Sequence, residues 1–174
     1  MRDDLMSTGF PSIWVECRTS KNKKLLVGGY YREWTSNGDD SIGGQKDRMG
    51  ILIEQINKAC GECDRVVMVG DMNLCTAKWD DPNYRYKSIA EPLRTTLTTN
   101  NLKVANLGHT YFPDHPNVNG EYVSSSLDHI YFSDTCDIKT TEILSDSGSD
   151  HLPIMVKLEI GRTCRPLYTK HVIK

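Results

Sequence analysis

The chain has 174 residues, enough for one domain with its own core, and its charges nearly cancel at net −2. No strongly basic domain is present, so composition alone gives no argument for nucleic acid, although charge can be local. Nothing behind Met1-Arg2-Asp3-Asp4 resembles a secretory leader, and no apolar run is long enough to span a bilayer.

In chain order, Ile13 to Cys17 alternates as a half-buried strand, Thr19 to Lys24 reads as a hairpin turn, and Leu25 to Tyr31 is the partner strand. Glu33 to Gly44 is a polar, glycine-containing loop. Met49, Leu52, Ile53, Ile56, Ala59 and Cys60 recur at three- and four-residue steps, which predicts a helix ending near Gly61. Arg65 to Val69 is a continuous apolar run, expected as a buried central strand. Asp80 to Asn83 is a turn. Ser88 to Leu97 carries Ile89, Leu93 and Leu97 at helical spacing, against Pro92. Short strands are expected at Leu102 to Ala105 and His109 to Pro113, then at Leu127 to Phe132, Ile138 to Leu144 and Leu152 to Ile160. The pattern is a mixed α+β layered domain, with helices covering sheets.

The six cysteines, without a leader, are expected as reduced thiols of an intracellular protein. Cys60-Gly61-Glu62-Cys63 stands alone and lacks a second ligand pair, so two small residues at a helix end explain it better than zinc or redox chemistry. Residues 161–174 carry Arg162, Arg165, Lys170 and Lys174 and no acid. A solvated tail is the plainer reading, and a phosphate-contacting arm the sharper one.

Three polar clusters end apolar runs: Gly70-Asp71-Met72-Asn73, Ser126-Leu127-Asp128-His129, and Ser149-Asp150-His151-Leu152-Pro153. Loops at strand ends are where a rigid scaffold holds reactive groups. Hydrolysing a phosphodiester needs a positioned, deprotonated water, neutralised phosphoryl charge and a stabilised leaving oxygen. Asp71 can accept or orient the proton of that water. Asn73 can offer its amide to a phosphate and its carbonyl to a metal, although Gly-Asp-x-Asn also reads as a plain turn. His151 can stabilise charge if an acid holds its other nitrogen, and Asp128 is the candidate acid. Adjacent strand residues face opposite ways, so His129 and Asp128 should not both face the site. Tyr31 and Arg32 end the second strand, where a hydroxyl and a guanidinium can meet phosphate. A half-buried tyrosine and a surface charge explain them equally well.

Together these clusters resemble the successive motifs of the endonuclease/exonuclease/phosphatase (deoxyribonuclease I-like) superfamily, and within it the endonuclease domains of non-LTR retrotransposons. Val27 to Arg32 and Thr110-Tyr111-Phe112 extend the likeness over nearly the whole chain. The resemblance implies a four-layer α/β/β/α sandwich over residues 1–160, incomplete at the N-terminus, followed by the 161–174 tail as a linker. It implies Mg2+- or Mn2+-dependent DNA cleavage, nuclear if the target is chromosomal. Asp71 would activate water, Asn73 would contact phosphate and metal, and Asp150 would bind metal. Asp128 would orient a charge-stabilising His151, Tyr31 would contact phosphate, and Arg32 would contact the nucleic acid.

The family pattern also has an earlier strand ending in a metal-binding Glu. No such motif precedes Ile13, and Glu16 lies in a strand the family places later. Cleavage is therefore expected to be impaired. The alternatives are an inactive remnant acting as a binding or self-assembling module, with self-association through an exposed sheet edge, or a phosphomonoester or lipid-headgroup substrate.

Overall fold

Strand alternation builds the central layer. In the computed structural model, which describes residues 1–18, 23–33, 41–145 and 148–160, β1 (Ser12–Arg18) pairs antiparallel with β2 (Lys24–Tyr31). β2 runs parallel to β3 (Val66–Asp71), which pairs antiparallel with β5 (Asp128–Ser133). β4 (Leu102–Val104) closes the other edge, giving the order β1-β2-β3-β5-β4. The apolar run before Asp71 is thus central, as its lack of alternation predicts. A second sheet contains β6 (Ile138–Ile143) and β7 (Ile154–Leu158).

The two faces of the large sheet are sorted by residue parity. Leu26, Tyr30, Val66, Met68 and Tyr131 pack against α1 (Ile42–Glu62) and α2 (Lys87–Thr99) in the main core. Leu25, Val27, Val67, Val69 and Phe132 face the other way, onto Ile138, Val156 and Leu158. Helices, large sheet and small sheet therefore stack in that order, three layers among the described residues.

Several boundaries differ from expectation. α1 begins at Ile42, inside the expected loop, because the Ser41 hydroxyl accepts the Gly44 N–H at 3.0 Å and caps it. Gly61 lies within α1, and the terminating residue is the extended Cys63. α2 runs through Pro92. Its proline costs about 3 kcal/mol, while the fully buried Ile89, Leu93 and Leu97 each contribute about 1.5–3 kcal/mol. His109 to Pro113 forms only isolated bridges through Tyr111, and β7 is shorter than the expected strand. The hairpin turn at 19–22, most of the 33–44 loop and the basic tail lie outside the described residues.

Cys17, Cys60, Cys63, Cys75 and Cys136 are free thiols, and burial pushes Cys60 up to about 11. Among the described residues no helix is long and apolar enough to cross a membrane.

Candidate active site

Register puts three of the expected residues in one row. Tyr31 stands opposite Asp71, and Asp71 opposite Asp128, at the ends of β2, β3 and β5. Parity turns all three to the face that carries the small sheet. Gly70 makes the row possible, since a Cβ there would meet the Tyr30 carbonyl oxygen at 1.9 Å.

The loop after β3 is locked around Asp71. Its Oδ1 accepts the Asn73 N–H at 2.8 Å and its Oδ2 accepts the Asn73 side-chain amide at 3.2 Å. That amide also donates to the Arg32 carbonyl at 2.8 Å, and Asn73 sits at φ 50, a conformation asparagine tolerates. Arg32 is 1% exposed. Its guanidinium donates to the Met72 carbonyl at 2.6 Å, the Asn73 carbonyl at 2.8 Å and Gln45 at 3.0 Å. It therefore sits beneath the loop, and the alternative reading of Arg32 as a surface charge is corrected by its burial. A planar fork among inward-turned carbonyls is bound there more strongly than it would be in solvent.

A short segment carries His151 to the row. Phe112 N–H donates to the Asp150 carbonyl and Leu152 N–H to the Thr110 carbonyl, both at 2.8 Å, while Tyr111 pairs on its other side with Ser125. The fully buried Thr110 hydroxyl accepts the N–H groups of Leu127 at 3.1 Å and Asp128 at 3.0 Å. His151 Nδ1 meets Asp128 Oδ2 at 2.9 Å, and its ring lies 4.9 Å from that of Tyr111.

Ligand atoms of Asp71, Asp128 and His151 lie within 4.8 Å of one another. Asp150 is outside this group, and its carboxylate accepts the Ser149 hydroxyl at 3.3 Å. Tyr31 is 50% exposed at the end of the row. His129 turns to the opposite face, buried on Leu74 O at 2.8 Å and the Tyr131 hydroxyl, and burial holds it down to about 4, so it is neutral.

Burial, reinforced by Asp128, pushes the Asp71 carboxyl up to about 6; the Asn73 N–H, His151 and Arg32 pull the other way. A cavity of about 480 Å3 between α2, β4 and residues 105–109 is lined by none of these three groups.

The sequence reading placed Thr110 and Tyr111 in a short strand and in the family likeness, and missed what they hold. A threonine ahead of two aromatic residues was the available signal. Gln45, in an apparent loop, gave none.

Fold and site together define a deoxyribonuclease I-like α/β sandwich with an Asp-Asp-His group at its strand ends. A sequence model described as Endonuclease-reverse transcriptase matches residues 31–155. The chain belongs to this family, within the endonuclease/exonuclease/phosphatase superfamily.

No curated protein sequence matches it. Among solved structures, the endonuclease domain of TRAS1, a telomere-specific non-LTR retrotransposon, aligns at TM-score 0.67 and 17% identity over 91% of this chain and 67% of that one. The Xenopus laevis APE2 catalytic domain aligns at 0.63 and 12% identity, over 89% and 56%. The 3' phosphatase NExo from Neisseria, bound to a product DNA hairpin, aligns at 0.60 and 16%, over 84% and 64%. The chain thus spans from about half to two thirds of these structures.

Proposed function

We propose that this chain hydrolyses phosphodiester bonds in DNA with a bound Mg2+ or Mn2+, as the endonuclease of a retroelement. One observation carries the proposal: the imidazole of His151 is held by Asp128 beside Asp71, in a row of strand ends.

The donor set fits a hard cation. Burial, reinforced by Asp128, holds the half-buried Asp71 carboxyl up, so a positive charge there is favourable. Asp71 and the Asn73 side-chain carbonyl would hold the ion, with Asp150 as a further oxygen donor. When bound, the ion neutralises charge on the phosphoryl oxygens and the leaving alkoxide. Asp71 orients the attacking water and receives its proton. With Nδ1 held by Asp128, Nε2 of His151 meets the phosphate and stabilises the charge that builds there. The exposed Tyr31 hydroxyl contacts the phosphate. Arg32 acts as a positioning residue, fixing the Asp71–Asn73 loop from below. Action on chromosomal DNA would place the protein in the nucleus.

The test is nicking of supercoiled plasmid with Mg2+ or Mn2+. Asp71→Asn and His151→Gln should each lower the rate about 10²–10⁴-fold. Activity indifferent to both changes would remove this site assignment. One observation favours the inactive-module reading: only two carboxylates enter the group among the described residues. It predicts no metal-dependent nicking and a melting temperature unmoved by Mg2+.

A further inference from the structure

The loop that carries Asp71 and Asn73 turns three successive carbonyls inward. Arg32 donates to those of Met72 and Asn73. The third belongs to the fully buried Leu74, and its one donor among the described residues is Nε2 of His129, at 2.8 Å. The same nitrogen meets the Ser126 carbonyl at 3.2 Å. Both partners are acceptors, so the ring proton is assigned to Nε2. Nδ1 is then an acceptor, and the hydroxyl of the buried Tyr131 donates to it. Trp79 stands edge-on to the ring, with centroids 5.5 Å apart. Tyr30 stacks on Tyr131 at 5.8 Å, and its hydroxyl donates to the His129 carbonyl at 3.2 Å. A side chain fixed by packing and by bonds on both nitrogens holds its partners in one place.

What His129 joins are two halves of the site. Leu74 follows Asn73 directly, and Ser126 stands two residues before Asp128. The backbone ties the same two segments on either side. Met72 N–H donates to the Leu127 carbonyl at 2.9 Å, and Thr76 N–H to the Ser126 carbonyl at 3.1 Å. Asn73, at φ 50, breaks the ladder between these rungs. There the imidazole supplies the link that the backbone does not.

We propose that His129 is a positioning residue for phosphodiester cleavage: from the face opposite the row, its Nε2–H ties the Asn73–Leu74 turn to the Ser126–Asp128 segment and so fixes the spacing of Asp71, Asn73 and Asp128. This role rests on the cleavage reading above. An apolar residue at 129 would fill the space but leave the Leu74 carbonyl buried without a donor. The loss would fall on the chemical step, since misplacing reacting groups by about 1 Å costs about 10²-fold. An interaction that positions without gripping substrate moves kcat rather than KM.

Two experiments on the full chain test it. The first reads amide exchange residue by residue in the metal-free protein. His129→Asn has an amide that stops near the place of Nδ1, and it should speed exchange at Met72, Asn73 and Thr76 at least about tenfold relative to Val67 inside β3. His129→Gln has an amide nitrogen that reaches the place of Nε2, and it should restore slow exchange there. Tyr131→Phe keeps the imidazole and loosens it. It should speed the same amides by less, and it carries this experiment if His129→Asn does not fold. The second measures nicking of supercoiled plasmid in Mg2+. His129→Asn should lower kcat about 10–100-fold with KM within about threefold of wild type, and His129→Gln should recover most of the loss. Ile56→Val, a core change on α1, lowers stability and should leave both readings as in wild type. Exchange that quickens at Val67 and the loop alike, or equal losses in His129→Asn and His129→Gln, would make His129 a core residue only and overturn the proposal. If the wild type nicks and His129→Asn keeps its kcat, the positioning role falls and the cleavage reading stands. A wild type without metal-dependent nicking removes the cleavage reading instead, and the exchange pattern then still decides whether His129 ties the two segments.

Discussion

Thr110 holds two backbone N–H groups with one hydroxyl, and one of them belongs to Asp128. Replacing it with valine keeps the shape and leaves both donors buried without a partner. Thr110→Val should therefore cost about 1–3 kcal/mol in denaturant unfolding and lower nicking as well, because Asp128 loses its anchor. Thr110→Ser should retain both. Asp71 and His129 make a pair with opposite pH signs. Asp71 rises from 3.8 to about 6 in the fold, so the native state holds its proton more tightly and the group costs stability as pH climbs through that window. His129 falls from 6.5 to about 4, so its stabilisation is whole above 6.5 and is lost as pH drops towards 4. Each unit is worth about 1.4 kcal/mol for the buried imidazole and less for the partly exposed carboxylate. In metal-free melts, Asp71→Asn should make acid destabilisation steeper than wild type, and His129→Gln should make it shallower. Parallel curves for all three proteins would contradict these assignments.

At the scale of elements, the loop after β3 depends on a residue at the end of β2. Arg32 satisfies the carbonyls of Met72 and Asn73 from beneath. Arg32→Met should cost about 2–4 kcal/mol, read as a lower urea midpoint, and Arg32→Lys should recover little because a single ammonium cannot reproduce the fork. No more than trivial loss in either variant would show that the loop stands without it. Periodicity identified the strands and both helices, since burial on one face is what it records. It failed where another force decided the outcome. A side-chain cap started α1 among glycines, and buried leucines carried α2 through Pro92. Long-range pairing reduced the Thr110 segment to a bridge between Ser125 and His151, which no local pattern contains.

Across the whole molecule, the row of Tyr31, Asp71 and Asp128 was legible as three separate strand ends, and alternation alone placed Asp128 and His129 on opposite faces. Burial of Arg32 and the position of Asp150 outside the group were not legible, because both depend on how loops fold back over the sheet. The central claim is that Asp128 works through His151 in a metal-dependent site. A double-mutant cycle in single-turnover nicking tests it most directly, with Asp128→Asn, His151→Ala and the pair combined, in Mg2+ and in chelator. The account predicts metal-dependent cleavage by the wild type and a double variant hardly slower than His151→Ala alone. Independent, multiplying losses, or a wild type with no metal-dependent cleavage, would contradict it.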